Sequence, residues 1–81
     1  MTEQEVHAHI FAELQKVAPE CDPTELPPDA NIREALDIDS FSFLRVLVGL
    51  HERTGVEIPE SDYGKLSTLV AMTGYLMARL S

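Results

Sequence analysis

The stretch "DIDSFSFLRVLVGLHERTG", residues 37–55, decides the fold and also raises the question of function. Two aspartates and Ser40 stand directly in front of a long apolar run. Because Asp or Ser at such a position can accept hydrogen bonds from the first free amides of a helix, we predict a helix that starts at Ser40. Gly55 suits the left-handed position just past a helix, and Val56 supplies the apolar contact after it, so the helix should end at "RTGV".

The apolar stripe of this helix is wider than one packing surface requires. At about 100° per residue the apolar positions cover roughly 220° of the wheel, whereas a helix on a single core needs about half of that. We predict that one flank packs inward and the other faces solvent, the inward flank being Phe43, Val46, Leu47 and Leu50 and the outward flank Phe41, Leu44 and Val48. An exposed apolar flank usually marks a protein-binding site, and the alternative is a helix covered by neighbours on both sides.

Helical patterns also occupy both ends of the chain. "TEQE", residues 2–5, is a capping box, and apolar residues at helical spacing then continue until Pro19 stops the helix. A long connection follows over 18–39, irregular in its proline-rich first half, with a short helical turn around Ile32 and Leu36. A loop of this length in a small domain favours a functional role.

The last third of the sequence predicts a short turn and a final helix. The turn runs from Tyr63 to Leu66 after a bend at Pro59, and Ser67 is the predicted cap of a helix that carries Leu69, Met72, Leu76 and Leu80 on one face. No segment alternates apolar and polar residues in the way that is typical of a β-strand. The sequence therefore predicts an all-α fold, a small four-helix bundle of three main helices plus one short helix with a long first loop, as a single domain over residues 1–81.

Size and charge restrict the classes of function. An 81-residue chain has little room for an active-site cleft with a supporting shell, so a binding or carrier module is expected rather than an enzyme. The net charge is −8, and the acidic excess lies before Ser40, which disfavours nucleic acid and membrane partners. With no membrane-spanning stretch and a single cysteine, Cys21, we expect a cytoplasmic monomer.

Three uses of Ser40 can be compared from the residues alone. It can simply cap the helix, a role that Asp39 could equally fill. It can carry a phosphodiester, whose charge the positive end of the helix would stabilise. A hydrolase is excluded, because the Gly-x-Ser-x-Gly elbow is missing and His51 would lie roughly 16 Å away along the helix. His7 and His9 point to different faces and predict no metal site.

The segment "LDIDSFSFLRVLVGLHERTGVEIPESDYGKLST", residues 36–68, resembles the central region of acyl carrier proteins. The resemblance includes the Asp-Ser pair that opens the second helix and "VEIP" after a glycine-containing turn. It also includes an acidic short helix and a Ser/Thr-led last helix. With the N-terminal helix and the long loop it covers nearly the whole chain.

The resemblance implies that Ser40 carries 4′-phosphopantetheine, attached by a transferase that recognises Asp39. The thiol of the arm would hold acyl groups as thioesters and deliver them to a ligase, synthase or acyltransferase of fatty-acid, polyketide or specialised acyl metabolism. The implied partner-binding surface is Phe41, Leu44, Arg45 and Val48. The implied lining of a groove for the attached chain is Phe43, Leu47, Leu50, Ile58, Tyr63 and Leu66.

This sequence also departs from the family pattern. Phe41 stands where Leu or Met is usual, and Arg45 and Arg53 offset the acidic character that the second helix commonly has. Tyr63 is bulkier than the usual residue and favours short or aminoacyl cargo. The alternatives are therefore an aminoacyl or D-alanyl carrier that serves a dedicated ligase, and an unmodified helical interaction module.

Overall fold

The computed structural model describes residues 1–80, which form a bundle of four α-helices joined by loops and two 3-10 segments. The helices are α1 (Glu3–Val17), α2 (Ile32–Leu36), α3 (Ser40–Thr54) and α4 (Leu69–Leu80); the first 3-10 segment is Pro23–Glu25 and the second is Glu60–Leu66. Within residues 1–80 there is no strand, only one isolated bridge between Asn31 and Thr68. The predicted all-α bundle is confirmed.

The predicted start of α1 is confirmed in detail. The amide of Glu5 donates to Thr2 Oγ1 at 3.1 Å, and the amide of Thr2 donates to Glu5 Oε1 at 3.0 Å. Two donors that a helix start would leave free are thereby satisfied. The helix ends at Val17, two residues before Pro19.

One apolar core lies between the helices, and α1 packs against both α3 and α4. Every helix contributes to it, and so does the second 3-10 segment. Its largest fully buried side chains, each at most 1% exposed, are Val6, Ile10, Leu14, Ile32, Val46, Leu47, Leu50, Leu66, Met72 and Leu76. In the part of the chain that the structure describes, no helix combines the length and the apolar character needed to cross a membrane.

The long first loop is fixed to the start of α4. The amide of Ile32 donates to the carbonyl of Ser67 at 2.8 Å, and the amide of Val70 donates to the carbonyl of Pro28 at 3.0 Å. These bonds hold α2 against the bundle and bring the chain to Ser40. The first half of the loop is more regular than expected, because Asp22 caps a 3-10 turn by accepting from the amide of Thr24 at 3.0 Å.

Two predictions near α4 were wrong. The cap of α4 is Thr68, whose Oγ1 accepts from the amide of Ala71 at 3.1 Å, because Ser67 has helical dihedrals (φ −75°, ψ −17°) rather than the extended ones of a cap. The turn after Pro59 begins at Glu60 rather than Tyr63, since the amide of Asp62 already donates to the carbonyl of Pro59 at 2.9 Å.

Candidate functional site

The backbone before Ser40 is held by three successive contacts. Asp37 takes the left-handed conformation (φ 53°) that ends α2, and its amide donates to the carbonyl of Glu34 at 3.3 Å. The amide of Ile38 donates to the carbonyl of Arg33 at 3.0 Å, and its side chain packs on the core. The chain therefore reaches α3 in a fixed direction.

Asp39, not Ser40, caps α3. Its Oδ1 accepts from the amide of Ser42 at 2.8 Å, while its backbone is extended (φ −84°, ψ 175°). Ser40 is the first residue of the helix, and its side chain is exposed. Within residues 1–80 no side-chain hydrogen bond engages the Ser40 hydroxyl, so capping does not explain this serine.

The electrostatics around Ser40 combine a fixed anion with a nearby cation. Hydrogen bonding from Ser42 holds the pKa of Asp39 below its usual value, and the charge of Arg33 lowers it further. Asp39 is therefore ionised at neutral pH. Arg33 and the positive end of α3 can offset a second negative charge at this position.

A cavity of about 240 Å³ opens beside Ser40. Ser40 and Arg33 line it together with the aromatic rings of Phe43 and Tyr63, and Asn31 and Ser67 add polar groups. An anionic ester on the Ser40 oxygen would thus have both room and a guanidinium on the same cavity wall.

A second cavity, of about 390 Å³, lies further along α3, and Tyr63 borders both. Ile58 and Val48 form part of its apolar lining. Of the residues predicted to line a groove, Phe43, Ile58 and Tyr63 therefore face cavities. Leu47, Leu50 and Leu66 are at most 1% exposed in the closed core, so their part in a groove stays a prediction that requires the core to open.

The two flanks of α3 are separated as predicted. Phe43, Val46, Leu47 and Leu50 are buried, whereas Phe41 is 70%, Leu44 37% and Val48 48% exposed. We call Phe41, Leu44 and Val48 the outer strip. The alternative of a helix covered on both sides is wrong, while the docking role of the outer strip stays a prediction.

Glu13 is the buried charge that the sequence did not reveal. This residue of α1 is only 5% exposed, and its Oε2 accepts from Arg53 Nε on α3 and from Lys16 Nζ at 3.1 Å. Burial raises the pKa of Glu13, but the hydrogen bonds from Arg53 and Lys16 outweigh burial and leave the pKa below its usual value. Glu13 is therefore an ionised link between α1 and α3.

Gly49 is the residue from which the contact between Glu13 and α3 could have been inferred in the sequence. A Cβ at position 49 would overlap the Glu13 carboxylate, so only glycine lets the carboxylate lie against α3. A glycine inside a helix usually has a packing reason of this kind, because it lowers helix propensity.

Comparison with known proteins places most of the chain in one group. Residues 8–76, from α1 into α4, match the family described as "Phosphopantetheine attachment site". The meromycolate extension acyl carrier protein of Mycobacterium tuberculosis is 32% identical over 76 residues, which are 94% of this chain and 65% of that protein. This chain thus spans about two thirds of the length of that relative.

Two further relatives are nearer in length. The acyl carrier protein of Rhodococcus erythropolis is 31% identical over 70 residues, which are 83% of this chain and 77% of that protein. The acyl carrier protein of Rubrobacter xylanophilus is 28% identical over 71 residues, which are 84% of this chain and 88% of that protein.

Proposed function

This chain belongs to the acyl carrier protein family, and we propose that Ser40 is the residue that bears its phosphopantetheine arm. Phosphopantetheine is the cofactor of the family, whose members are carriers rather than enzymes and work with partner enzymes. The observation that carries the proposal is the exposed hydroxyl of Ser40 at the first position of α3, inside the matched segment.

The other described serines suit this role less well. Ser42 and Ser67 are half-buried, and Ser61 lies inside the second 3-10 segment rather than at the start of a helix. Ser40 alone among them combines exposure, a helix N-terminus and the cavity shared with Arg33. A phosphodiester at this position would gain from the helix end and from Arg33, which together counter the neighbouring charge of Asp39.

The residues around Ser40 have separate tasks in this proposal. Asp39 fixes the start of α3 through its bond to Ser42 and presents a carboxylate to the transferase. The arm supplies a thiol that holds acyl groups as thioesters. Phe43, Ile58 and Tyr63 offer apolar surface to a bound chain, and Leu47, Leu50 and Leu66 would join them when the core opens.

The relatives support acyl-chain extension as the setting. Those of Mycobacterium are named for meromycolate extension, and we propose that this chain serves a related elongation of acyl groups in the cytoplasm. Its partners would be a phosphopantetheinyl transferase that attaches the arm and a synthase or acyltransferase that uses the cargo.

One observation favours a second candidate, a carrier of short or aminoacyl groups loaded by a ligase. Tyr63 stands between the two cavities, so a long chain that starts at Ser40 would have to displace its ring. The two candidates share the arm and differ in cargo. The mass of the thioester on the native protein distinguishes them.

The test of Ser40 is an intact mass measurement after incubation with coenzyme A and a broad-specificity phosphopantetheinyl transferase. We expect the unmodified chain to gain one phosphopantetheinyl group and Ser40→Ala to gain none. Ser42→Ala, two residues along the same helix, serves as the matched control and should be modified normally. A folded wild-type chain that gains no mass would favour the plain interaction module, and a modified Ser40→Ala would place the arm elsewhere.

A further inference from the structure

A cleft of about 650 Å³ lies between α1 and α3 and continues the outer strip. Leu44 and Val48 belong to both the outer strip and the wall of this cleft. An exposed apolar strip that leads into a cleft is a surface on which a partner can bury a side chain. We call the two together the docking surface.

The charges of the docking surface differ from those of the whole chain. Three cations, Lys16, Arg45 and Arg53, line the cleft with two carboxylates, Glu13 and Glu52. The local balance is thus one positive charge (three minus two), whereas the whole chain carries −8.

These cations are not equally available. Lys16 and Arg53 are engaged by the buried carboxylate of Glu13. Arg45 forms no hydrogen bond or ion pair within residues 1–80, and its side chain is exposed. On the helical wheel it lies about 40° from Phe41, between Phe41 of the outer strip and Gly49 of the cleft wall. An unpaired guanidinium beside an exposed apolar strip can form a bidentate pair with a carboxylate.

We propose that the docking surface binds a partner-enzyme element that presents an apolar side chain flanked by carboxylates, with Arg45 as the main ionic contact. The proposal rests on the proposed function, since a carrier must dock on the enzymes that use its cargo. It reverses the charge pattern implied by the family resemblance, in which an acidic second helix meets basic partner surfaces.

Most of the acidic excess lies in the first half of the chain, and Asp39 is the carboxylate of that half that stands closest in sequence to Phe41 of the outer strip. At physiological ionic strength charges more than about 8 Å apart are largely screened, whereas a contact pair is not. We expect the contact pair with Arg45 to decide which charge is preferred at the docking surface, although Glu52 in the cleft wall and Asp39 at the start of α3 reduce the preference.

The test uses two hydrocarbon-stapled helical peptides that share the same leucine face and differ only in carrying glutamates or lysines beside it. Each is titrated at physiological ionic strength into the full-length, ¹⁵N-labelled chain, both before and after modification with coenzyme A. We expect the glutamate peptide to bind about tenfold more tightly than the lysine peptide. The largest changes in amide chemical shift should occur in α3 and at Lys16.

Substitutions assign the preference to Arg45. Arg45→Glu should abolish or invert it, whereas Lys65→Glu, an exposed change of equal charge in the second 3-10 segment, should leave it intact. The proposal would be overturned if the two peptides bound equally well, if the lysine peptide bound more tightly, or if the glutamate peptide did not bind. It would also be overturned if Lys65→Glu changed the preference as much as Arg45→Glu. The unmodified chain is also titrated, so the charge preference of the docking surface is measured even if Ser40 is not modified. Failure of the proposed function and failure of this proposal can therefore be distinguished.

Discussion

The two neighbours of α3 hold it in different ways. Toward α1 an ion pair bridges the cleft between the two helices, because Gly49 lets the Glu13 carboxylate lie against α3, where Arg53 binds it. Toward the second 3-10 segment two cavities remain, and Tyr63 borders both. That segment packs mainly on α4 instead, where Asp62 accepts from the Tyr75 hydroxyl at 2.6 Å.

From this difference we infer that the α1 side supports α3 firmly and that the second 3-10 segment can move away from α3. The α1 side fixes α3, and with it Ser40, by a buried ion pair whose disruption would leave an unpaired charge. Among residues 1–80 no side-chain hydrogen bond or ion pair joins the second 3-10 segment to α3, because the anchors of that segment lie on α4, so its movement would break no such bond. A carrier needs both properties, a fixed attachment point and a wall that yields to cargo.

Gly49→Ala should have the largest effect on stability. The added methyl group would displace the Glu13 carboxylate from its site, and we expect the free energy of unfolding to fall by about 2 kcal/mol. Urea unfolding followed by circular dichroism measures this loss.

Two controls accompany that prediction: the same substitution in a chain that lacks Glu13, and a Gly→Ala substitution in α4. In a Glu13→Ala chain the same change should raise stability by about 0.5–1 kcal/mol, the ordinary gain for Gly→Ala in a helix. Gly74→Ala in α4, where an added Cβ meets no atom within 4 Å, should show that gain in the wild-type background. An equal loss with and without Glu13 would show that the carboxylate is not the cause.

Asp62→Asn should have a smaller effect that depends on pH. The hydrogen bond from Tyr75, followed by contacts with Lys65 and Arg79, lowers the pKa of Asp62 below its ordinary value of 3.8. A carboxyl group with a lowered pKa stabilises the fold above its unfolded pKa, and this contribution is lost as pH falls through the folded pKa. The urea midpoint of Asp62→Asn should therefore fall less than that of the wild type between neutral pH and the range below 3.8.

The same variant also tests the proposed movable wall. Amide hydrogen exchange should accelerate over residues 60–66 and stay unchanged at the α1–α3 contact. Glu60→Gln, which removes an exposed charge from the same segment, is the control and should change neither property. Faster exchange at Gly49 and Arg53 would mean that the two sides of α3 are coupled.

Gly64→Ala should have the smallest effect. An added Cβ at this position meets no atom within 4 Å, so the free energy of unfolding should change by less than about 0.5 kcal/mol. Together with Gly49→Ala it compares the same substitution on the two sides of α3, one bridged by an ion pair and one without such a bridge. A loss as large as that of Gly49→Ala would contradict the comparison.

The helices and the inward and outward flanks of α3 could be predicted from the sequence because they follow from local spacing. The capping box at Thr2 and the end of α3 at Gly55 were confirmed on that basis. The choice between Asp39 and Ser40 as the cap of α3 could not be made, since either side chain can accept from the amides of the first turn.

Contacts between distant parts of the chain could not be predicted from the sequence. Glu13 and Arg53 are 40 residues apart, and only the packing of α1 on α3 brings them together. The same holds for Asp62 and Tyr75. The cap at Thr68 was missed because Ser67 beside it has the same chemistry, and the loop bonds at Ile32 and Val70 decide between the two.

Attachment of the arm to Ser40 is the central claim about this protein. The direct measurement is fragmentation mass spectrometry of the wild-type chain after reaction with coenzyme A and the transferase, which locates the added group along the sequence. We predict one phosphopantetheinyl group, placed by the fragment ions on Ser40. An adduct on Ser42, Ser61 or Ser67, or a folded chain with no adduct, would contradict the account.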